Sequence, residues 1–397
     1  MSATLAAPRK PPRRRMRLAW SDPLFRNVVW QVIVVGLVAA IVAMLVTNTN
    51  RNLVARHIAT GFGFLGRVAG IPVGEAILPY DPAVNTYGYA LLEGVLNTLK
   101  VAVLGVILAT LLGTAIGIGR LSPNWLISKL CGIYVEIIRD IPPLLQLLFW
   151  YVLLQGLPAP RQAIHAGAFF LSNRGIKVPL LAWNAAYGWM LLALLAGIVA
   201  SALWNRRARA VQAATGRKPR VWPLATGLIV GLPLLVWLAS GMPATADLPS
   251  LHGFNFTGGG TVTPEYGALL LGLVIYTAAY IAEIVRSGIQ AVSQGQWEAA
   301  GALGMGRGAI LRLIVLPQAM RVIIPPLTSE YLNLTKNSSL AVAIGYQDIV
   351  SVANTTLNQT GQAIEGIAII MGTYLVISLS ISLFMNWYNA RIALVER

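Results

Sequence analysis

The stretch EAAGALGMGRGAILRLIVLP, residues 298–317, lies between two long apolar runs, near 265–285 and 322–345. Helix-forming residues extend from about Gln290 to Leu303 and again from Ala309 to Leu316 before Pro317. Gly304 and Gly306 between them allow a turn with positive φ. The reading is a short helix, a tight turn and a second short helix that Pro317 ends. Ala299, Ala300 and Gly304 leave a face of small residues into which another protein can pack. Leu303 and Met305 supply apolar knobs, and Arg307 and Arg312 a polar rim. Gly304, Gly306 and Gly308 alternate as in some phosphate loops, but no strand pattern precedes them and no Lys-Ser or Lys-Thr follows.

The surroundings are built for lipid. The chain of 397 residues is 56% hydrophobic and 11% charged, with a mean hydropathy of +0.67, outside the range of ordinary soluble domains. A spanning helix needs roughly 20 predominantly apolar residues, because the bilayer offers the backbone no hydrogen bonds. Eight stretches meet that length, near 27–47, 92–118, 132–156, 180–203, 221–240, 265–285, 322–345 and 363–386. The fold class is therefore all-α, a polytopic integral membrane protein. The first run follows a long basic arm and lacks a small-residue cleavage site, so it is expected to be a retained helix and not a signal peptide.

Charge orients the bundle. With the amino terminus inside, inner segments hold 21 of the 30 Lys and Arg and outer segments six, while Lys100, Arg139 and Lys336 fall within spans. Both termini and residues 298–317 are then expected on the cytoplasmic side. The formal net charge of +16 and the arm RKPPRRRMR, residues 9–17, serve that bias better than nucleic-acid binding, since each basic cluster abuts an apolar run. Cys131 is the only cysteine, and His57, His165 and His252 stand apart without ligand spacing. No disulfide, metal site or resident cofactor is expected.

The outer loop, 48–86, contains LVARHIATGFGFLGRVAGI, an amphipathic interfacial piece or a plain ordered loop. Residues 157–179 and 241–263 read as connectors, and NRRARAVQAATGRKPR as a basic inner loop.

The spacing of the opening stretch is more specific than its helix pattern. Glu298-Ala299-Ala300, three residues, Gly304, nine residues, Ile314, one residue, then Leu316-Pro317 resembles the cytoplasmic signature of ABC importer permeases. Four further stretches resemble permeases for polar amino acids: NTLKVAVL (97–104), YVEIIRDIPPLLQL (134–147), YIAEIVRSGIQAVSQGQWEAA (280–300) and YLNLTKNSSLAVAIGYQDI (331–349). The likeness covers roughly 87–157 and 264–390. It implies a five-helix core, a coupling loop at 287–317 that docks into a separate ATPase subunit, ATP and Mg on that partner, a second permease subunit and a periplasmic amino-acid-binding protein. On this resemblance residues 1–26 are a basic cytoplasmic arm, 27–86 a span and periplasmic loop, and 87–390 the permease domain, interrupted by an insertion at 158–263 with two extra spans. The location implied is a bacterial inner membrane.

Polar residues in the spans are costly unless paired, so they line pathways or pin helices. Lys336, with Asn333, Asn337, Ser338 and Ser339, is such a cluster in the seventh span. Gln146, Tyr151, Tyr276 and Tyr280 join it as candidate pathway residues. Glu136 and Arg139 in the third span, with Asp140 beside them, and Glu283 and Arg286 in the sixth, have the spacing of ion pairs, structural or gating. Pro142 and Pro143 predict a kink. An ion-coupled secondary transporter is the alternative, but it should show an inverted repeat, and none is evident. A lipid-modifying enzyme should show clustered catalytic acids or histidines.

Overall fold

A computed structural model describes residues 20, 23–55, 60–181, 184–216, 219, 221–243, 245–253 and 255–392. Helices dominate. Among the described residues seven helices are long and apolar enough to cross a membrane, or eight if one bent pair counts as a span. The first is α1, Pro23–Ala55. The core follows with α2 (Tyr87–Arg120), α3 (Trp125–Asp140) and α4 (Pro143–Gln155). An inserted hairpin holds α5 (Ala185–Thr215), α6 (Trp222–Thr226) and α7 (Leu232–Ala239). The chain then returns to the core through α8 (Pro264–Gln290), α9 (Gln294–Ala302), α10 (Arg307–Ile310), α11 (Leu316–Asn337), α12 (Ile349–Thr360) and α13 (Ala363–Ile392).

The centre is the parallel pair α2 and α8. Ala109, Gly113 and Gly117 recur every fourth residue along one face of α2 and are buried. A Cβ on Gly113 would stand 2.7 Å from the Ala278 carbonyl oxygen, and one on Gly117 2.7 Å from that of Ala282. Small residues at this spacing let two backbones touch, which replaces the hydrophobic driving force that lipid does not supply. Because the two helices run parallel, their starts lie toward one end of the core, and Arg120 and Gln290 toward the other. The antiparallel α11 packs Ile323 on Gly288 and Leu334 on Gly105.

The third expected span is two helices meeting at 104°. Pro142 disfavours helical geometry for the residue before it, and Ile141 is extended (φ −95°, ψ 126°). Pro143 then starts α4, where its missing N–H costs nothing. The turn is fixed by Gln146, whose Nε2 donates to the Ile138 (2.8 Å) and Ile141 (3.0 Å) carbonyls.

Pro317, expected to end a helix, does not. The chain continues from α10 through a π-helical turn, Leu311–Val315, into α11. Pro317 follows the π turn directly, and the wider turn accommodates its missing donor within a continuous helix. Pro325 and Pro326 also lie within α11. A 3₁₀ segment, Ser338–Ile344, and Gly345 in the left-handed region (φ +80°) then turn the chain into α12.

The first eight residues of the expected outer loop, 48–55, continue α1; residues 56–59 of the amphipathic piece lie outside the described residues, and from residue 60 the loop packs on the core. Phe64 and Ile71 are buried against Tyr87, Ala90, Leu91 and Ile349. The fully buried Glu93 accepts from the amides of Ile77 (2.8 Å) and Leu78 (3.0 Å), which fastens the loop to α2.

The connectors of the insertion are strands. Ile164–Ala166 (β1), Phe169–Ser172 (β2) and Gly175–Val178 (β3) pair antiparallel, and β3 pairs with a distant strand, Gly260–Val262. Leu180–Leu181 (β4) pairs with Ala246–Asp247 (β5), while Ser250–His252 (β6) pairs with Asn255–Thr257 (β7), so Gly260–Val262 is β8. These runs read as loop because each strand is only two to four residues long, and because β3 and β4 complete their pairing with strands far along the chain, β8 and β5. The basic loop is largely helix: its Ala- and Arg-rich sequence carries α5 on to Thr215, where Gly216 (φ +70°) caps it.

Candidate functional site

The end of the core that holds Arg120 and Gln290 also carries the foot made by α9, α10 and the turn between them. Ser293 opens α9. At its other end the Met305 amide donates to the Ala300 carbonyl (3.2 Å) and the Gly304 amide to that of Gly301 (2.9 Å). This is a Schellman motif, with Gly304 in the left-handed position at φ +73°. Gly306, expected to share the positive φ, is extended (φ −66°, ψ 150°), because the single residue Gly304 completes the reversal.

The motif sorts the side chains. Ala300 is buried and joins Trp297, Met305, Ile310 and Val315 in the main core cluster, so Met305 packs inward. Glu298, Ala299, Gly304, Arg307, Arg312, Leu316 and Pro317 are exposed. Leu303 at the tip is 82% exposed, the highest value among the large apolar side chains described. Gln318 on α11 donates to Gln296 on α9 (3.4 Å), tying the foot to the long helix it leads into.

Above the foot lies a charged network. Arg120 and Arg286 both pair with Glu283, and Arg286 also donates to Gln290 (2.6 Å). Glu136 and Arg139 form no ion pair among the described residues. They line a cavity of about 430 Å³ with Arg120, Asp140, Tyr280 and Glu283, and the Arg139 guanidinium sits 5.0 Å from the Tyr280 ring centre. No local pattern marks Arg120: it closes an apolar run, and only the packing of α2 on α8 brings it to Glu283.

The candidate pathway residues divide. Asn333 and Lys336 present an exposed face on α11, and Lys336 has no ion pair among the described residues. Asn337 is half-buried. Ser338 and Ser339 donate to their own helix, to the carbonyls of Thr335 (2.7 Å) and Lys336 (2.8 Å). Tyr276 donates to Tyr280 (3.1 Å), and Tyr151 to Glu265 (3.2 Å) at the opposite end of the core from the foot. Gln146 is buried at the α3–α4 bend, both N–H groups committed to carbonyls.

That opposite end has its own polar cluster. Lys100 pairs with Glu75 (2.6 Å) and lies 3.9 Å from the Tyr266 ring centre. The other Glu75 oxygen accepts from the Thr263 amide (2.8 Å). Tyr80 in the same loop donates to Ile71 (2.7 Å). Its burial, with Glu93 and Asp81 nearby, pushes its hydroxyl above the usual tyrosine value and keeps it a donor. Lys100 stood out in the sequence as a charge within a span, but its partner comes from a loop that no local pattern aligns with it. No group of His, Cys, Asp and Glu suited to a metal occurs among the described residues.

Residues 223–394 match the family described as the binding-protein-dependent transport system inner membrane component. The general L-amino acid transport system permease protein AapQ of Rhizobium johnstonii is 50% identical over 383 residues, covering 96% of both chains. The putative amino-acid ABC transporter permease protein YhdX of Escherichia coli is also 50% identical over 383 residues, covering 96% of this chain and 97% of the relative. The glutamate/glutamine/aspartate/asparagine transport system permease protein BztB of Rhodobacter capsulatus is 42% identical over 423 residues, covering 98% and 99%. The chain belongs to this family of inner-membrane components: it is a multi-pass permease of the ABC importer type, not an ion-coupled transporter. Matches of this length include the central insertion, which is therefore shared with these relatives and not peculiar to this chain.

Proposed function

We propose that this chain is the membrane subunit of an ATP-driven importer of amino acids, polar or acidic or of broad range. It has no catalysis of its own. ATP and Mg²⁺ act on a separate ATPase chain, a binding protein delivers cargo from the periplasm, and a second, similar permease completes the pathway as a heterodimer. Both termini and the foot lie in the cytoplasm, in accord with the bias of Lys and Arg toward that side.

The observation that carries the reading is Leu303, an 82% exposed apolar side chain held at the tip of a Schellman-capped turn. An apolar knob on a stiff turn outside the bilayer suits a hydrophobic cleft on a partner. The foot leads without a break through the π turn into α11, which carries Asn333 and Lys336. A displacement of the foot therefore reaches the polar face as movement of one helix, the single element that both sites can bias. The Glu283 network lies where the foot leaves α8 and restrains that movement until ATPase subunits close. Lys336 supplies a cation for the substrate α-carboxylate.

Reconstitution tests this. Purified permease, second permease and ATPase in liposomes, with binding protein outside and ATP within, should accumulate a labelled amino acid; unlabelled competitors then define the cargo class. Uptake driven by an ion gradient without nucleotide would refute the proposal.

A further inference from the structure

The inserted hairpin carries a charge asymmetry that the transport cycle does not use. From Ile141 to Ala246 the chain has no Asp or Glu at all. Within that stretch α5 bears Arg206, Arg207 and Arg209 near its inner end, all exposed. The rise from Ala185 to Arg206 is about 32 Å, close to the roughly 30 Å of a bilayer's hydrocarbon core. The guanidinium groups therefore sit at the depth of lipid headgroups.

Packing turns this basic end into a slot. A Cβ on Gly197 would lie 2.4 Å from the Leu228 carbonyl oxygen, so α5 and the π turn Gly227–Gly231 cross backbone to backbone there. Ser201 donates to Ala225 one turn further on (3.5 Å). This antiparallel register sets Trp222 level with Trp204. Beyond the crossing lies a cavity of about 480 Å³. Its walls are apolar on both helices, with Leu203 and Trp204 on α5 and Leu224 and Leu228 on the return, and Arg206 and Arg207 form its inner rim.

We propose that this slot binds an anionic phospholipid, with the phosphate held by Arg206 and Arg207 and the first acyl methylenes between Leu203, Leu224 and Leu228. Basic residues alone would serve orientation at any position on the inner side. Two of them at the mouth of an apolar slot, level with two tryptophans and without one acidic neighbour along the hairpin, fit a headgroup joined to a hydrocarbon chain. A soluble phosphate would use only the rim, and an acidic protein surface would not enter the slot.

The test uses the full chain in complex with its partner subunits, delipidated in detergent. Phosphatidylglycerol and phosphatidylcholine of identical acyl chains are titrated, and retained lipid is read by native mass spectrometry. Phosphatidylglycerol should be retained selectively. Arg206→Gln with Arg207→Gln should weaken retention about thirty-fold, from roughly 1 kcal/mol per basic residue. Ala200 also lines the slot, so Ala200→Phe fills it while keeping both guanidinium groups, and should lose the lipid as well. Glycerol phosphate should not compete at the concentrations at which the lipid binds. Equal retention of phosphatidylcholine, competition by glycerol phosphate at those concentrations, or wild-type retention by either variant overturns the proposal. So does a double variant that sheds the ATPase while still holding phosphatidylglycerol, because the rim would then be a protein contact.

Discussion

Replacing Gly304 separates the shape of the foot from the space in front of it. The residue sits at φ +73°, a region that costs an L-residue about 1–2 kcal/mol, and a Cβ built there meets nothing within 4 Å. Gly304→Ala therefore carries conformational strain and no clash. If the partner binds only the Schellman-turned foot, that strain lowers its affinity about 5- to 30-fold. Gly304→Asn, whose side chain tolerates the left-handed region, should recover most of the loss. Gly304→Trp adds a bulky ring beside Leu303, where an ATPase cleft would close, and should abolish the complex. The assay is ATPase capture by detergent-solubilised permease at graded concentrations, with membrane insertion checked by protease accessibility of the loops. Wild-type capture by Gly304→Trp would refute the docking role. Equal losses for Ala and Asn would refute the conformational argument while leaving the contact itself intact.

Two other substitutions address the core. Lys336→Ala removes the cation on the exposed face of α11 and should lower uptake at least tenfold with normal capture of the ATPase; unchanged uptake would exclude Lys336 from the pathway. Gln146→Ala leaves the Ile138 and Ile141 carbonyls without the amide that joins them, a loss of about 1–3 kcal/mol. It should lower the melting temperature of the purified complex, and an unchanged value would mean that Pro142 and Pro143 hold the bend unaided.

The features legible in the sequence are those set by composition or by short spacing. Apolar length located the spans, and the stretch from Glu298 to Pro317 disclosed a helix, a turn and a helix because Gly304 and its neighbours determine that reversal locally. What was misread depends on partners remote in the chain. Pro317 looked like a stop because its missing donor is tolerated only after the π turn of residues 311–315, a local widening that no residue type announces. Strand β8 is unreadable because it is three residues long and its register is set by β3, far earlier in the chain. Glu283 and Arg286 are three residues apart on one helix, but Arg120 reaches Glu283 only through the glycine contact between α2 and α8. Ala300 and Met305 belonged to a run treated as one exposed face, until the Schellman turn directed both into the core.

The insertion can be large without disturbing the core because it leaves and re-enters at adjacent points. Leu154, near the end of α4, packs on Gly267, near the start of α8, and β3 returns to β8 directly before α8 begins. Further out, Leu181 of β4 pairs with Ala246 of β5, so the whole helical hairpin hangs from two neighbouring residues. Its helices pack chiefly on one another. Segments attached in this way are removable when their ends lie close together. Excising residues 182–245 and joining β4 to β5 with an Asn-Gly turn, which suits a two-residue antiparallel connection, removes two spans and so preserves the orientation of everything that follows. The shortened chain should insert, keep its foot on the same side and capture the ATPase as the full chain does, while losing its preference for phosphatidylglycerol. Failure to capture the ATPase despite correct insertion would mean that the hairpin braces the foot, and the separation of core from insertion argued from their packing would be wrong.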